Sequence, residues 1–187
     1  MFNTEINTEI EYKFWAHLNR IQFHTILEAI AEENLSPKVL ISEDDYYTSE
    51  GHPGFLRHRQ GISLRSGNKY SEITIKRKVA GNSIRKEVDI DVMGNDPENV
   101  KDFLSIANYQ YQFTVWKKAW VYFFEDCDVS YYILEDGRSV IELEAKPEAY
   151  NTLMEGVAII EKWAKYLKLT DEQRESRSLF EIFSDEV

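Results

Sequence analysis

One cysteine, Cys127, and four histidines are all that a chain of 187 residues offers of the residue types that announce a disulfide scaffold or a zinc centre. A single thiol excludes an internal disulfide framework and any multi-cysteine zinc site. His17, His24, His52 and His58 show no metal-ligand spacing of the HExxH kind. No apolar run approaches the roughly 20 residues needed to span a bilayer, and nothing resembles a signal peptide. Positive charge is also short. With 22 Lys and Arg against 33 Asp and Glu, the formal net charge is -11. That balance argues against a general nucleic-acid binder, because phosphate backbones repel an acidic surface. These absences predict a soluble, cytoplasmic protein with no membrane or nucleic-acid partner, in which any phosphate chemistry uses a local positive patch.

What is present is core-forming. Hydrophobic residues make up 43% of the chain and aromatics 13%, enough for one globular domain over residues 1–187. Apolar residues at helical spacing predict a helix over about His17 to Glu33. Asn95-Asp96-Pro97 reads as a helix start with a capping side chain and an early proline, running to about Ala107. A closing helix is predicted from about Glu148 to Leu167 and a short one from Asp171 to Phe183, so that the C-terminal helices occupy about 148–183. Between these lie strands at about Val39 to Tyr47, Phe55 to Arg65, Tyr70 to Val79, Ile84 to Val92, Tyr111 to Glu125, Val129 to Glu135 and Ser139 to Lys146. Turn chemistry separates them at 49–54, 66–68, 80–82 and Asp136-Gly137.

The informative feature is the alternation inside the strands. In Glu9-Ile10-Glu11-Tyr12-Lys13, the two-residue period puts Glu9, Glu11 and Lys13 on one face and Ile10 and Tyr12 on the other. The pattern recurs at Arg57/Arg59, Lys76/Lys78, Arg85/Glu87/Asp89, Lys117 and Glu142/Glu144. Two arrangements accommodate so many charged faces. An open sheet exposes them to water. Alternatively, the sheet curls shut with charges inside and helices outside, a closed eight-stranded antiparallel β-barrel of α+β class. Closure is tolerable only if carboxylates and bases face one another across a bound polyanion and its metal. The acids group on the first and last strands and the bases mainly on the middle ones, which suits a divalent cation on one wall and a phosphate chain on the others.

The opening Glu9-Ile10-Glu11-Tyr12-Lys13 resembles the ExExK signature of the CYTH superfamily, the triphosphate tunnel metalloenzymes, which includes inorganic triphosphatases, thiamine triphosphatases and class IV adenylyl cyclases. In order along the chain, Asp45-Tyr46-Tyr47 is similar to the family's tyrosine-containing second strand. Leu56-Arg57-His58-Arg59 resembles its LRxR, Thr74-Ile75-Lys76 its TxK, and Arg85-Lys86-Glu87-Val88-Asp89 its RxExE. Ile133-Leu134-Glu135 resembles its acidic strand and Ile141-Glu142-Leu143-Glu144 its terminal ExE. Leu167-Lys168-Leu169 and Arg177-Ser178-Leu179-Phe180 resemble its LGL and C-terminal RSY segments.

The resemblance implies a tunnel and a metal-dependent hydrolase of triphosphate-containing small molecules. Glu9, Glu11, Glu142 and Glu144 would bind Mg2+ or Mn2+. Lys13 would sit near the reacting phosphoryl group, and Glu87, Asp89 and Glu135 would be further acids that hold a second metal or orient water. Arg57, Arg59, Lys76, Arg85 and Lys117 would hold phosphates. A class IV cyclase and a binding module without turnover stay open as alternatives, as does a homodimer. Ala119 stands where the family's KxR strand carries its second base, and Leu64-Arg65 competes with Leu56-Arg57 for the LR pair.

Overall fold

The protein is described from a computed structural model covering residues 7–52, 54–80 and 84–186; for 7–8, 78–80 and 84–86 the description is of backbone only. The sheet is built from β1 (Asn7–Trp15), β2 (Lys38–Thr48), β3 (Phe55–Ser63), β4 (Lys69–Ala80), β5 (Ile84–Asp91), β6 (Gln110–Phe123), β7 (Cys127–Leu134), β8 (Ser139–Ala145) and β9 (Arg174–Glu175). The helices are α1 (Arg20–Ala31), α2 (Pro97–Ile106), α3 (Leu153–Tyr166) and α4 (Leu179–Ser184). The α+β class and the antiparallel pairing follow the expectation. The strand order is β5-β4-β3-β2-β6-β7-β8-β1-β9, with an additional pairing of β5 to β1.

The expected closed eight-stranded barrel is corrected in two respects. Among the described residues the sheet has nine strands, and it is not closed into a barrel. β5 pairs with β1 only along Asn7–Ile10, whereas the two-residue β9 takes Lys13 and Phe14. The predicted helix over 171–183 is therefore split. Ser178 caps α4 through its own Glu181 capping box, a local signal strong enough to restart the helix after a strand residue pair has docked on β1.

The helices α1, α2 and α3 cover the outer face. Ile10, Tyr12 and Phe14 of β1 are buried in one cluster with Phe23 and Leu27 of α1 and Ile160 and Trp163 of α3. Gly156 permits this close approach: a Cβ there would lie 2.4 Å from Ile10 Cδ1. The helix α3 ends in a left-handed residue, Lys168 (φ 56°). Leu169 N donates to Ala164 O at 2.9 Å and Lys168 N to Lys165 O at 3.2 Å, the paired bonds of a Schellman termination. This explains the glycine of the LGL segment that Leu167-Lys168-Leu169 resembles, since the middle residue must adopt positive φ. The helix α2 covers Tyr47, Leu56 and Ile73 with Val100 and Leu104. The short α4 lies on the opposite side, packing Leu179 and Ile182 against Tyr46, Val115 and Tyr132. No helix among the described residues is long and apolar enough to cross a membrane.

Candidate functional site

On the face opposite α1, α2 and α3, the charged alternates converge on a cavity of about 350 Å³, to whose lining α4 contributes Leu179, within the usual range of small-molecule sites. Glu9, Glu11, Lys13, Arg57, Arg59, Lys76, Glu87, Asp89, Lys117, Glu142 and Glu144 all line it. β1 is consequently buried on both sides, with Glu9, Glu11 and Lys13 as inaccessible as the apolar residues behind them.

Register decides how these charges meet. Lys13 lies opposite Glu142, Lys76 opposite Glu87, and Arg59 opposite both Asp44 and Glu72. Each is a pairing of unlike charge, which stabilises neighbouring strands. Like charges also meet: Glu11 faces Glu144, which faces Asp128 on its other side. Glu9 joins Glu11 and Glu144, so that one oxygen from each of these three carboxylates lies within 4.8 Å of the others. Glu142, expected in the same set, is not in this trio; it lies 3.8 Å from Lys13 Nζ.

The acidic wall is held short of full ionisation. Burial, with Glu11 beside it, pushes the Glu144 carboxyl up to about 8. Burial also raises Glu9, although Lys76 opposes the shift, and burial and Glu11 raise Glu142. Lys76 donates to both Glu9 oxygens, at 2.8 and 3.0 Å, and lies 2.8 Å from Glu87. Burial opposes the charge on Glu87, but Lys76 prevails and brings its carboxyl down to about 2. Lys13 donates to Glu11 at 2.8 Å.

The basic wall is organised by a residue that the sequence motifs did not single out. Asp44 is fully buried; it accepts from Arg59 Nε at 2.6 Å and Nη2 at 2.7 Å and lies 3.1 Å from Lys117 Nζ. Burial disfavours its charge, yet Arg59 and Lys117 hold it ionised. Burial and the Arg59 guanidinium pull the Lys117 ammonium down to about 8. Arg57 donates to Thr74 Oγ1 at 2.9 Å and to Glu72 at 3.2 Å, and Thr74 in turn donates to Asp89 at 2.6 Å. Asp44 was hidden in the run Glu43-Asp44-Asp45, where charge type is uninformative. Its shared parity with Tyr46 was the available signal.

One expected cavity residue is not found there. Glu135 does not reach the cavity: β7 ends at Leu134, and Glu135 lies exposed in the following turn. Arg65 lies exposed beyond the end of β3, bonded to Ser36, so the cavity receives Arg57 and Arg59 instead. The side chain of Arg85, and that of Lys78, lie outside the described residues. Lys118 points away, 5.2 Å from the Trp120 ring centroid. Ala119 lines the cavity beside Leu40 and Val121, making one stretch of wall apolar where a second base was expected.

The residues present fit a divalent cation. They offer oxygen donors only, on three carboxylates crowded against one another with too little positive charge nearby, which is the environment hard cations occupy.

Comparison with known proteins agrees with this geometry. The model of the CYTH domain matches residues 7–179. Among solved structures, the PH1819 protein of Pyrococcus horikoshii OT3 is 23% identical with a TM-score of 0.76, covering 96% of this chain and 99% of that one. The PH1012 protein of the same organism is 22% identical with a TM-score of 0.74, covering 92% and 98%. The Hippeastrum protein HpAC1, put forward as an adenylyl cyclase and described as having a dominant triphosphatase activity, is 12% identical with a TM-score of 0.57, covering 96% and 95%. At these identities the likeness is one of fold. No curated protein sequence matches.

Proposed function

The chain belongs to the CYTH domain family, and we propose that it is one tunnel-type domain that hydrolyses a triphosphate with a divalent metal, Mg2+ or Mn2+. The observation that carries this reading is the run of like-charge register pairs, Glu11 opposite Glu144 and Glu144 opposite Asp128, set across the cavity from Arg57, Arg59 and Lys117. The partial pairing of β5 with β1 supports a tunnel with the charges inside. Glu9, Glu11 and Glu144 would hold the metal, with Glu142 beside them. When bound, it would supply Lewis-acid polarisation of phosphoryl oxygens.

The protein's own groups do the rest. Arg57, Arg59 and Lys117 present donors to phosphate oxygens, and Asp44 fixes the direction of two of them before substrate arrives. That preorganisation matters because phosphoryl transfer is mostly positioning and charge stabilisation. Lys76 and Lys13 sit between the acidic and basic walls, where they offset charge on the transferring group. Asp89, whose carboxyl is raised by burial and by Glu87, would orient an attacking water together with Glu87. The apolar stretch of Leu40, Ala119 and Val121 offers contact to an organic substituent on the triphosphate, which keeps cyclisation of ATP as the competing outcome.

The test is to incubate the protein with Mg2+ or Mn2+ and tripolyphosphate, thiamine triphosphate, ATP or GTP, and to resolve the products. Free phosphate is expected. Cyclic nucleotide with pyrophosphate would identify a cyclase, and binding without product a non-catalytic module. Glu11→Gln is expected to abolish turnover and Lys118→Ala to leave it unchanged. Full activity of Glu11→Gln would refute the metal assignment.

A further inference from the structure

The outer face of the sheet carries a second polar recess that the catalytic reading does not use. Parity along β2 sends Ser42, Asp44 and Tyr46 toward the cavity and Glu43, Asp45 and Tyr47 the other way. There, β2, β6 and α2 enclose a groove of about 680 Å³. Asp45 and Tyr47 line it, yet each is about as buried as the core, at 2% and 3% exposure. Asp45 Oδ1 accepts from the Thr114 hydroxyl at 2.5 Å, whereas Oδ2 has no partner, and neither has the Tyr47 hydroxyl. Buried polar atoms are nearly always satisfied, so two orphans at one recess point to a missing donor.

Missing charge points the same way. Among the described residues, no cation pairs with Asp45. The cationic side chain at the groove, Lys101, lies 3.3 Å from Glu98 and divides its attraction among Glu98, Asp45 and Glu43, and His58 across the strand is held toward its neutral form by burial. Glu43 and Asp102 add further carboxylates at the rim. A metal ion does not suit them. Among the described residues, the carboxylates close enough to share one ion are Glu9, Glu11 and Glu144, so the outer acids are too dispersed. Dispersed acids with the rings of Tyr109 and Tyr111 beside them suit a ligand that has length, N–H donors and an alkyl or planar body.

We propose that the groove between α2 and the outer face of β2 and β6 binds a small organic cation, an alkylammonium or guanidinium compound, through the Asp45 carboxylate. The site is independent of the triphosphate cavity, because alternate residues of β2 serve the two.

The test is titration of the intact protein, in phosphate-free buffer at moderate salt, with 1,4-diaminobutane, guanidinium chloride or calcium chloride, followed by amide chemical shifts. Saturable shifts confined to β2, β6 and α2 are expected with an organic cation. Asp45→Asn should weaken binding by roughly tenfold or more, the loss of one charge-assisted hydrogen bond. Glu11→Gln, in the other cavity, should leave this binding unchanged. If Asp45→Asn does not fold, the doubly substituted Glu43→Gln, Asp102→Asn, altered at the rim, should still show weaker binding than the unaltered protein. No saturable binding in the millimolar range would overturn the proposal. So would shifts centred on Glu9 and Glu11, or calcium binding in the groove more tightly than either organic cation.

Discussion

Replacing Asp44 by Asn tests whether the basic wall is held in place by this one carboxylate. Asp44 is fully buried and supports Arg59 through two short bonds and Lys117 through a third contact at 3.1 Å. Removing one partner of a buried ion pair costs about 3–5 kcal/mol, because the remaining charge is stranded. Two features hold the expected loss near the lower bound. Asn keeps one acceptor for Arg59, and Lys117, already brought down to about 8, can release its proton near neutral pH once Asp44 no longer holds it. A loss of about 3 kcal/mol in a chain of this size lowers Tm by roughly 6–12 °C. The assay is thermal unfolding followed by circular dichroism, with and without tripolyphosphate. The ligand replaces the missing anion beside Arg59 and Lys117, so it should raise the Tm of Asp44→Asn more than that of the unaltered protein. A fall of less than about 2 °C, or equal ligand-induced gains in both proteins, would refute the reasoning.

Gly61 faces the Tyr70 ring so closely that a Cβ would lie 2.4 Å from the ring and 2.7 Å from Ile41 O. Gly61→Ala should cost about 1–3 kcal/mol through overpacking, read from urea unfolding, and should weaken triphosphate binding by displacing Tyr70 from the cavity wall. At Lys168 the backbone is left-handed, so Lys168→Gly should stabilise by roughly 0.5–1 kcal/mol in the same assay; a loss would count against the Schellman termination. Burial lowers the His58 pKa below its ordinary value, so the unfolded chain takes up the proton first as pH falls. The stability this residue contributes is complete above about 6.5 and is lost as pH drops toward the folded value. Comparing urea midpoints at pH 7.5 and 5.5 should show a smaller decline for His58→Gln than for the unaltered protein.

Parity made most of the cavity legible, because a strand has only two faces and Glu9, Glu11, Arg57, Arg59, Lys76 and Lys117 declared theirs in short motifs. What parity cannot supply is which strands meet. Asp44 became an organiser of the site only through its register with Arg59 on β3, the next strand in the chain, and its contact with Lys117 on β6, far along it. Glu135, by contrast, could have been excluded by parity: it is out of step with Asp128, Ser130 and Tyr132, the β7 residues that line the cavity, and it lies just past the end of the strand. The limit on which strands meet also hid β9, whose two residues carry no periodic signal and form a strand only because β1 offers Lys13 and Phe14 as partners.

His58 and Asp45 show a subtler failure. Lying out of phase with the cavity residues, both belong to the outer face, and an outer position on a charged strand ordinarily means solvent. Here α2 lies over that face, with Val100 and Leu104 packed on Leu56 and Ile73, so His58 is fully buried and Asp45 nearly so. A helix recruited to cover apolar neighbours thus buries polar residues that share their strands. Unless those residues find partners, they carry an energetic cost that a ligand can relieve. The unpartnered Oδ2 of Asp45 is such a residue, and its cost follows from the packing of α2 rather than from anything in the local sequence of β2.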